Sequence, residues 1–570
     1  MAEMWFLNSL DDVFRTSNRN LNGYEDKNEW TLNLAKNEME SFQVAVNAGD
    51  RTIKNVHVVV ECEGEQNDII FSTGSIELVP ATHQSVNMGN RTIRCTLPGE
   101  LPEYITPKPI KIVFRQTRSF LITAKTSAIT KPGTYNYKVK IIFDDHANGN
   151  PDCLEAPLTV IVHNVTLRKA CDSDYKYVNW INGCGINPFE MDSFIEMNES
   201  VYGIKAYSED WFELLGNYAR AIKNQRMNTL SVPLFELLYR DLKFDSDDNY
   251  IFDFTLFDRF IETFIQLGEV RYFTGMHLVM RTTATPEGKS TDWEDHLNAE
   301  LITWTFVNDN GKAKLGWEKL SSKKAWIHLE KLLSALYVHL KAKNLDIYWM
   351  QHVSDELDTQ EQFEMIKKVY ISVKEWFPTI KCLDATRDKS LFTLGRTLDI
   401  HVPQIDVHDK RAKEYSEINN NGNEVWTYTC LKPQFNYMSR LDDFQLICTR
   451  LIHWYNYLHG VKGYLHWAWN FWQLGNVPNN PFADACLNEW PLDAWIVFPD
   501  IENRSVFETM RSYANTDGIE DYELLRICEE KNREKTRNIV SLLIGRANDF
   551  TLDTALFYRA RKMLLELASE

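Results

Sequence analysis

The sequence predicts a multidomain protein: an N-terminal antiparallel β-sandwich, a central (β/α)8 barrel of the TIM type and a C-terminal helical extension. Three observations predict it. The chain has 570 residues, too many for one core. Its apolar residues alternate with period two up to about residue 168, then change to apolar runs separated by amphipathic helical stretches. Beyond residue 510 the pattern is helical alone. The expected domains are therefore 1–168, 169–510 and 511–570.

The sandwich rests on Ser41–Asn47, Val56–Val60, Ile110–Phe114, Gly133–Phe143 and Leu158–His163, separated by Gly and Pro turns such as Lys131-Pro-Gly133. The barrel rests on eight apolar runs: Tyr175–Ile181, Thr229–Phe235, Val270–Met280, Leu345–Val353, Ile380–Ala385, Leu398–Ile405, Val425–Cys430 and Gly463–Trp469. Helical stretches lie between them at Glu209–Lys223, Thr255–Leu267, Lys324–Lys343, Gln360–Trp376 and Asp442–Leu458. Residues 281–321, polar with Trp293, Trp304 and Trp317, form a long insertion of the kind that serves as a lid. Residues 473–505 are expected to loop over the barrel mouth. Asp517-Gly-Ile-Glu520 has the form of a capping box that opens the C-terminal helices.

Composition narrows the function. The net charge of −18 (62 basic against 80 acidic residues) disfavours nucleic acid and anionic membranes, which select basic patches. No run of 18 apolar residues is present, so no membrane insertion is expected. The start Met1-Ala-Glu-Met-Trp5 lacks a basic, apolar leader, and ten scattered cysteines read as reduced thiols; a cytoplasmic address is expected. With 17 Trp, 24 Tyr and 30 Phe, the chain has either a large aromatic core or flat rings for stacking on sugars.

Carboxylates carry the candidate chemistry. Asp355 and Glu356 follow the fourth apolar run, at the strand end where a β/α barrel holds its active site. Asp384 ends the fifth run, as a rim residue or a helix N-cap. Trp426 and Tyr428 lie in the seventh. His466, Trp467, Trp469, Asn470 and Trp472 crowd the eighth, as a binding platform or as core. No HExxH, zinc-type His/Cys spacing, phosphate-cradling glycine pattern or Gly-x-Ser-x-Gly elbow occurs, so neither metal nor cofactor is expected.

On these residues the chain resembles glycoside hydrolase family 123, the β-N-acetylgalactosaminidases. His352-Val-Ser-Asp-Glu356 is similar to the family's His-x-Ser-Asp-Glu signature. Leu383-Asp-Ala385, Trp426–Cys430 with Pro433, Arg450 with Trp454, Gly463–Trp467 with Asn470 and Trp472, and Gly518–Tyr522 fall in family-like order. Glu40-Ser-Phe-Gln43 with Asn47 resembles the family's N-terminal sandwich. Leu357, where relatives often carry Pro, and Asp517, where Glu is common, depart from the pattern.

The resemblance implies a retaining exo-β-N-acetylgalactosaminidase that removes terminal β-linked N-acetylgalactosamine from oligosaccharides or glycolipids, glycosphingolipids among them. Retaining glycosidases usually hold two carboxyl groups about 5–5.5 Å apart across the scissile bond. Neighbouring residues of a strand point to opposite faces and do not easily flank one carbon. Just past the pleat they can serve adjacent substrate atoms. A 2-acetamido sugar can attack its own anomeric carbon through the acetamido oxygen, forming an oxazolinium ring, so the enzyme needs no nucleophile. By analogy Glu356 is the general acid/base and Asp355 orients the acetamido group; Tyr428 is the first choice to donate to its oxygen. The alternatives are an N-acetylglucosaminidase of the same mechanism and a non-catalytic carbohydrate-binding protein.

Overall fold

The computed structural model describes the chain except for residues 20–27, 65–66, 86–91, 146–150, 182–200, 246–248, 283, 286–287, 290–298, 388–390, 392, 434, 475–476, 479 and 487–492. Ten strands make the N-terminal part: β1 (Glu3–Asn8), β2 (Trp30–Lys36), β3 (Met39–Asn47), β4 (Ile53–Cys62), β5 (Ile70–Ala81), β6 (Gly99–Thr106), β7 (Ile110–Ile112), β8 (Thr117–Lys125), β9 (Gly133–Asp145) and β10 (Pro151–Thr166). They form two five-stranded sheets, β1-β3-β8-β5-β6 and β2-β10-β9-β4-β7. All neighbours are antiparallel except β10 and β2. Alternate residues meet between the sheets: Phe42, Val44 and Val46 from one, Val139, Ile141, Leu158 and Val160 from the other.

A parallel α/β region follows. Its strands are β11 (Lys176–Asn179), β12 (Thr229–Val232), β13 (Tyr272–Gly275), β14 (Trp349–Asp355), β15 (Lys381–Thr386), β16 (Ile400–Pro403), β17 (Glu424–Val425), β18 (Thr427–Tyr428) and β19 (Gly463–His466). Each expected run contains strand, most of them trimmed, though the fourth and fifth run one or two residues further; the fourth begins with a short 3-10 turn, Asp346–Tyr348. β12 to β17 pair in chain order as one sheet, and β11-β19-β18 form a second. One apolar cluster draws on both: Val178, Tyr428 and Leu465 pack with Met350, Leu383, Ile400 and Val402.

The interleaved helices are α1 (Glu209–Asn224), α2 (Thr255–Gly268), α3 (Lys323–Ala342), α4 (Gln360–Trp376), α5 (Ala412–Asn420) and α6 (Leu446–Leu458). In α1, Ser208 caps the Trp211 amide, and Trp211, Leu214, Leu215, Tyr218 and Ile222 give the buried stripe. Thr359 and Gln362 form a capping box at α4, so the turn after β14 is fixed at its far end.

Three expectations change. Much of the 281–321 segment is antiparallel sheet rather than loop: Glu300–Asp309 pairs with Val279–Thr282 and with Lys312–Lys319, which sets Trp304 opposite Trp317. Trp293 lies outside the described residues. Within 473–505, Val497–Asp500 pairs with Ser505–Glu508 as a hairpin. Helix α7 (Met510–Ser541) starts seven residues before Asp517, capped reciprocally by Thr509 and Ser512. Asp517 and Glu520 sit buried inside it, because ion pairs claim them.

Those ion pairs fasten the N-terminal sheets to the helices. Arg450 of α6, fully buried, is 2.8 Å from Glu40, 2.7 Å from Asp521 and 3.2 Å from Asp517. Arg561 of α8 (Thr554–Ser569) pairs with Glu38, Glu40 and Asp521, and Arg226 lies 2.6 Å from Glu520. Carboxylates outnumber arginines here. Burial accordingly pushes Glu38 up to about 7 and Asp517 well above the carboxylate range. Among the described residues no helix is long and apolar enough to cross a membrane, and no two cysteines are joined as a disulfide.

Candidate active site

The site lies at the carboxyl ends of the parallel strands. The pairing of β14 with β15 slips between His352 and Asp355, a bulge that ends the regular pleat. Glu356 then takes a left-handed backbone, φ 45°. A non-glycine residue held in that region marks a locally overdetermined turn. The two carboxylates thus do not alternate as strand neighbours; the chain turns between them.

Each carboxylate has its own surroundings. Tyr428 donates its hydroxyl to one Glu356 oxygen, and Arg387, just past β15, reaches the other at 2.5 Å. Arg387 also forks onto Asp358 at 2.9 and 3.2 Å, and Arg281 stands 3.6 Å from Asp358. Asp355 is pushed up to about 7, by burial first and then by Glu356 and Asp384, with Arg281 and Arg387 opposing. Asp355 is therefore raised into the range near neutrality.

Behind the strand, Asp384 is buried. Ser354 donates to it at 2.5 Å and Tyr370 of α4 donates as well. Burial raises it to about 8 against those hydrogen bonds. It is neither a rim ligand nor a helix cap; it locks Ser354 and, near neutrality, holds a proton behind Asp355. Strand alternation explains this, since Leu383 and Ala385 take the inner face.

The structure separates the aromatic candidates. Trp426 is buried in the inner cluster with its indole on Glu424 at 3.2 Å. Trp469 and Trp472 are fully buried, bonded to Gln225 and to the Val497 carbonyl. Asn470 is buried in the same core beside Tyr218. None of these four offers a face to a ligand. His466 is buried too; its Nε2 meets Asp493 at 2.7 Å and its Nδ1 the Ala468 carbonyl at 3.2 Å. Trp467 alone of this group is half-buried, its indole donating to Asp493 at 2.5 Å. Burial would raise Asp493, but His466 and Trp467 hold it below the ordinary carboxylate range.

Sequence reading missed Arg387, Arg281, Asp358, Asp493, Trp180 and His277. Trp180, His277 and Arg387 each lie within two residues of a strand's carboxyl end, the one signal that could have found them. His277 meets His352 with ring centroids 4.2 Å apart, and Trp180 closes over both. Gln351 holds this arrangement by donating to the carbonyls of Met276 and His352. A Cβ on Gly275 would stand 2.3 Å from the Gln351 amide oxygen, so a larger residue there would push that amide off its two carbonyls.

Paired carboxylates at a strand end are groups of the kind a glycoside hydrolase uses. The sequence model of the glycoside hydrolase 123 catalytic domain matches residues 196–528, more than half of the chain. The protein belongs to glycoside hydrolase family 123. Its structure is similar to that of a family 123 glycoside hydrolase from Clostridium perfringens, studied for glycolipid glycan hydrolysis: TM-score 0.73, 14% identity, covering 100% of this chain and 98% of that one. A GH2 β-galacturonidase from Eisenbergiella tayi (TM-score 0.34, 10% identity, 85% and 69% covered) and a GH39 β-xylosidase from Caulobacter crescentus (0.34, 11%, 65% and 76%) are too distant to bear on the site. No curated protein matches the sequence.

Proposed function

We propose that the chain is a retaining exo-β-N-acetylgalactosaminidase working by substrate assistance, with a glycolipid or oligosaccharide glycan as substrate. The parallel strands close as a (β/α)8 barrel in this reading, supported by the β11–β19 pairing and the shared inner cluster. The observation that carries the function is the bulged, left-handed turn that sets Asp355 and Glu356 side by side beyond the pleat. Such neighbours suit a substrate whose own acetamido oxygen attacks the anomeric carbon. Asp355 accepts the acetamido N–H and steadies the oxazolinium charge. Glu356 protonates the leaving oxygen, then takes a proton from the water that opens the ring.

Burial and its acidic neighbours raise Asp355 toward neutrality, and the reaction needs it as the carboxylate. Arrival of the acetamido N–H favours the Asp355 carboxylate. In this reading Trp467, half-buried against the inner cluster, packs on the sugar, and Tyr428, which donates to Glu356, passes to the acetamido oxygen once the substrate enters. The family alone favours the galacto epimer. The reading is tested with aryl β-N-acetylgalactosaminide, β-N-acetylglucosaminide and β-galactoside in parallel. Only the first is expected to turn over well, with inhibition by a thiazoline analogue; turnover of the galactoside, which lacks the acetamido group, overturns substrate assistance.

A further inference from the structure

Beside the carboxylate pair lies a second constellation that the hydrolytic reading does not use. Nε2 or Nδ1 of His277, a ring nitrogen of His352 and a carboxylate oxygen of Asp355 all lie within 4.8 Å of one another. The Nε2 atoms of both histidines are buried and neither has a hydrogen-bond partner among the described residues; that of His352 stands 3.7 Å from Asp384 Oδ1, beyond hydrogen-bond reach. Two buried, unpartnered imidazole nitrogens are costly unless something joins them. Both rings are buried beside Asp355, and imidazole is the commonest side-chain ligand of metal ions. Gln351 fixes both backbones, so the rings are placed before any ligand arrives. Asp355, the one partly exposed member, gives the way in.

We propose that His277, His352 and Asp355 form a three-ligand site for a borderline divalent cation such as Zn2+, whose binding blocks the catalytic pocket. Two imidazoles and one carboxylate make the ligand set of open zinc sites, and first-row affinity for such donors favours zinc over magnesium or calcium. Binding occupies the Asp355 carboxylate that the acetamido group needs. Zinc is therefore an inhibitor here, acting as a competitor of the substrate. The binding stands apart from the hydrolytic reading; the inhibition rests on it.

The test titrates chelator-treated full-length protein with ZnCl2 by calorimetry. The parent, His277→Ala, His352→Ala and Cys486→Ser are compared, the last removing a different potential cluster, His83–Asp484–Cys486. One equivalent is expected in the parent and in Cys486→Ser. Each histidine variant should bind more than about 100-fold more weakly, beyond the loss that outer partners of a ligand produce. Loss in Cys486→Ser with retention in the histidine variants overturns the proposal, as does the absence of stoichiometric binding, which leaves only a water between the rings. Should a histidine variant not fold, Co2+ bound to the parent decides: visible bands of a four- or five-coordinate site without a thiolate band support it, and a thiolate band or a six-coordinate aqua spectrum overturns it. With zinc bound, KM rises and kcat holds. Zinc binding in a protein that cleaves no acetamido sugar sinks the hydrolytic reading and leaves the metal site standing.

Discussion

Two regions of this molecule bury carboxylates against arginine, and they solve the problem differently. In the cluster beneath the C-terminal helices, Arg450 spends its guanidinium on Glu40, Asp517, Asp521 and Tyr558, and Arg561 on Glu38, Asp521 and the Asn33 carbonyl. Asp517 Oδ1 is the atom left over there among the described residues. At the strand ends, Asp384 Oδ1, His352 Nε2, His277 Nε2 and Arg281 Nη1 all remain without hydrogen bonds. A satisfied network fastens elements; an open one stores unpaired polarity that a ligand can use. The backbone agrees: Gly518 lets α7 approach α6 where a Cβ would stand 2.7 Å from the Arg450 carbonyl, in plain helix, whereas the strand end carries a bulge and a left-handed glutamate.

The comparison fails if mutations at the two regions have the same kind of effect. Glu356→Gln should cut turnover of natural glycosides by about 10²–10⁴, the usual share of a general acid. Activated aryl glycosides should lose far less, and the melting temperature should stay; equal loss on both substrates removes Glu356 from the acid role. Arg450→Met should do the reverse. Leaving buried carboxylates unpaired costs about 3–5 kcal/mol in denaturant unfolding, while the folded fraction keeps its kcat. Arg387→Met is expected to lower kcat/KM about tenfold, the worth of one charge-assisted hydrogen bond of ~1.5 kcal/mol, with little change in stability. A large loss of stability instead would make Arg387 a structural tie.

The smallest effect sharpens the contrast most. Asp384 is raised to about 8 in the folded state from an ordinary 3.8. The folded protein then holds a proton that the unfolded chain has released, so stability is full below the unfolded value and falls as pH rises toward 8. Asp384→Asn removes that loss and keeps an acceptor for Ser354 and Tyr370. Its melting temperature should exceed the parent's by a margin that widens from about pH 5 to about pH 8, as followed by scanning calorimetry. A constant margin would mean that Asp384 does not titrate in this window.

Period and turn signals were legible in the sequence because they are local. The eight apolar runs and helices α1 to α4 stand almost where the pattern put them, since spacing along one segment decides which face is apolar. Asp355 and Glu356 were legible because both follow one strand. The capping box at Asp517 misled because the same short motif serves a helix interior when arginines wait for it. The lid expected at 281–321 pairs into antiparallel sheet because alternating Leu301, Thr303 and Thr305 find partner strands on both sides.

By itself, then, the sequence determined the order of layers, the change from sheet sandwich to parallel α/β region, and which strand bears the acids. Tertiary structure alone decided which tryptophans are core, with Trp426, Trp469 and Trp472 turned inward and Trp467 left at the edge. It also brought His277 to His352 and Arg387 to Glu356, partners far apart in the chain. The physical reason is that periodicity is written between neighbours, whereas a charge's partner is chosen by parallel strands whose pairing no local spacing records.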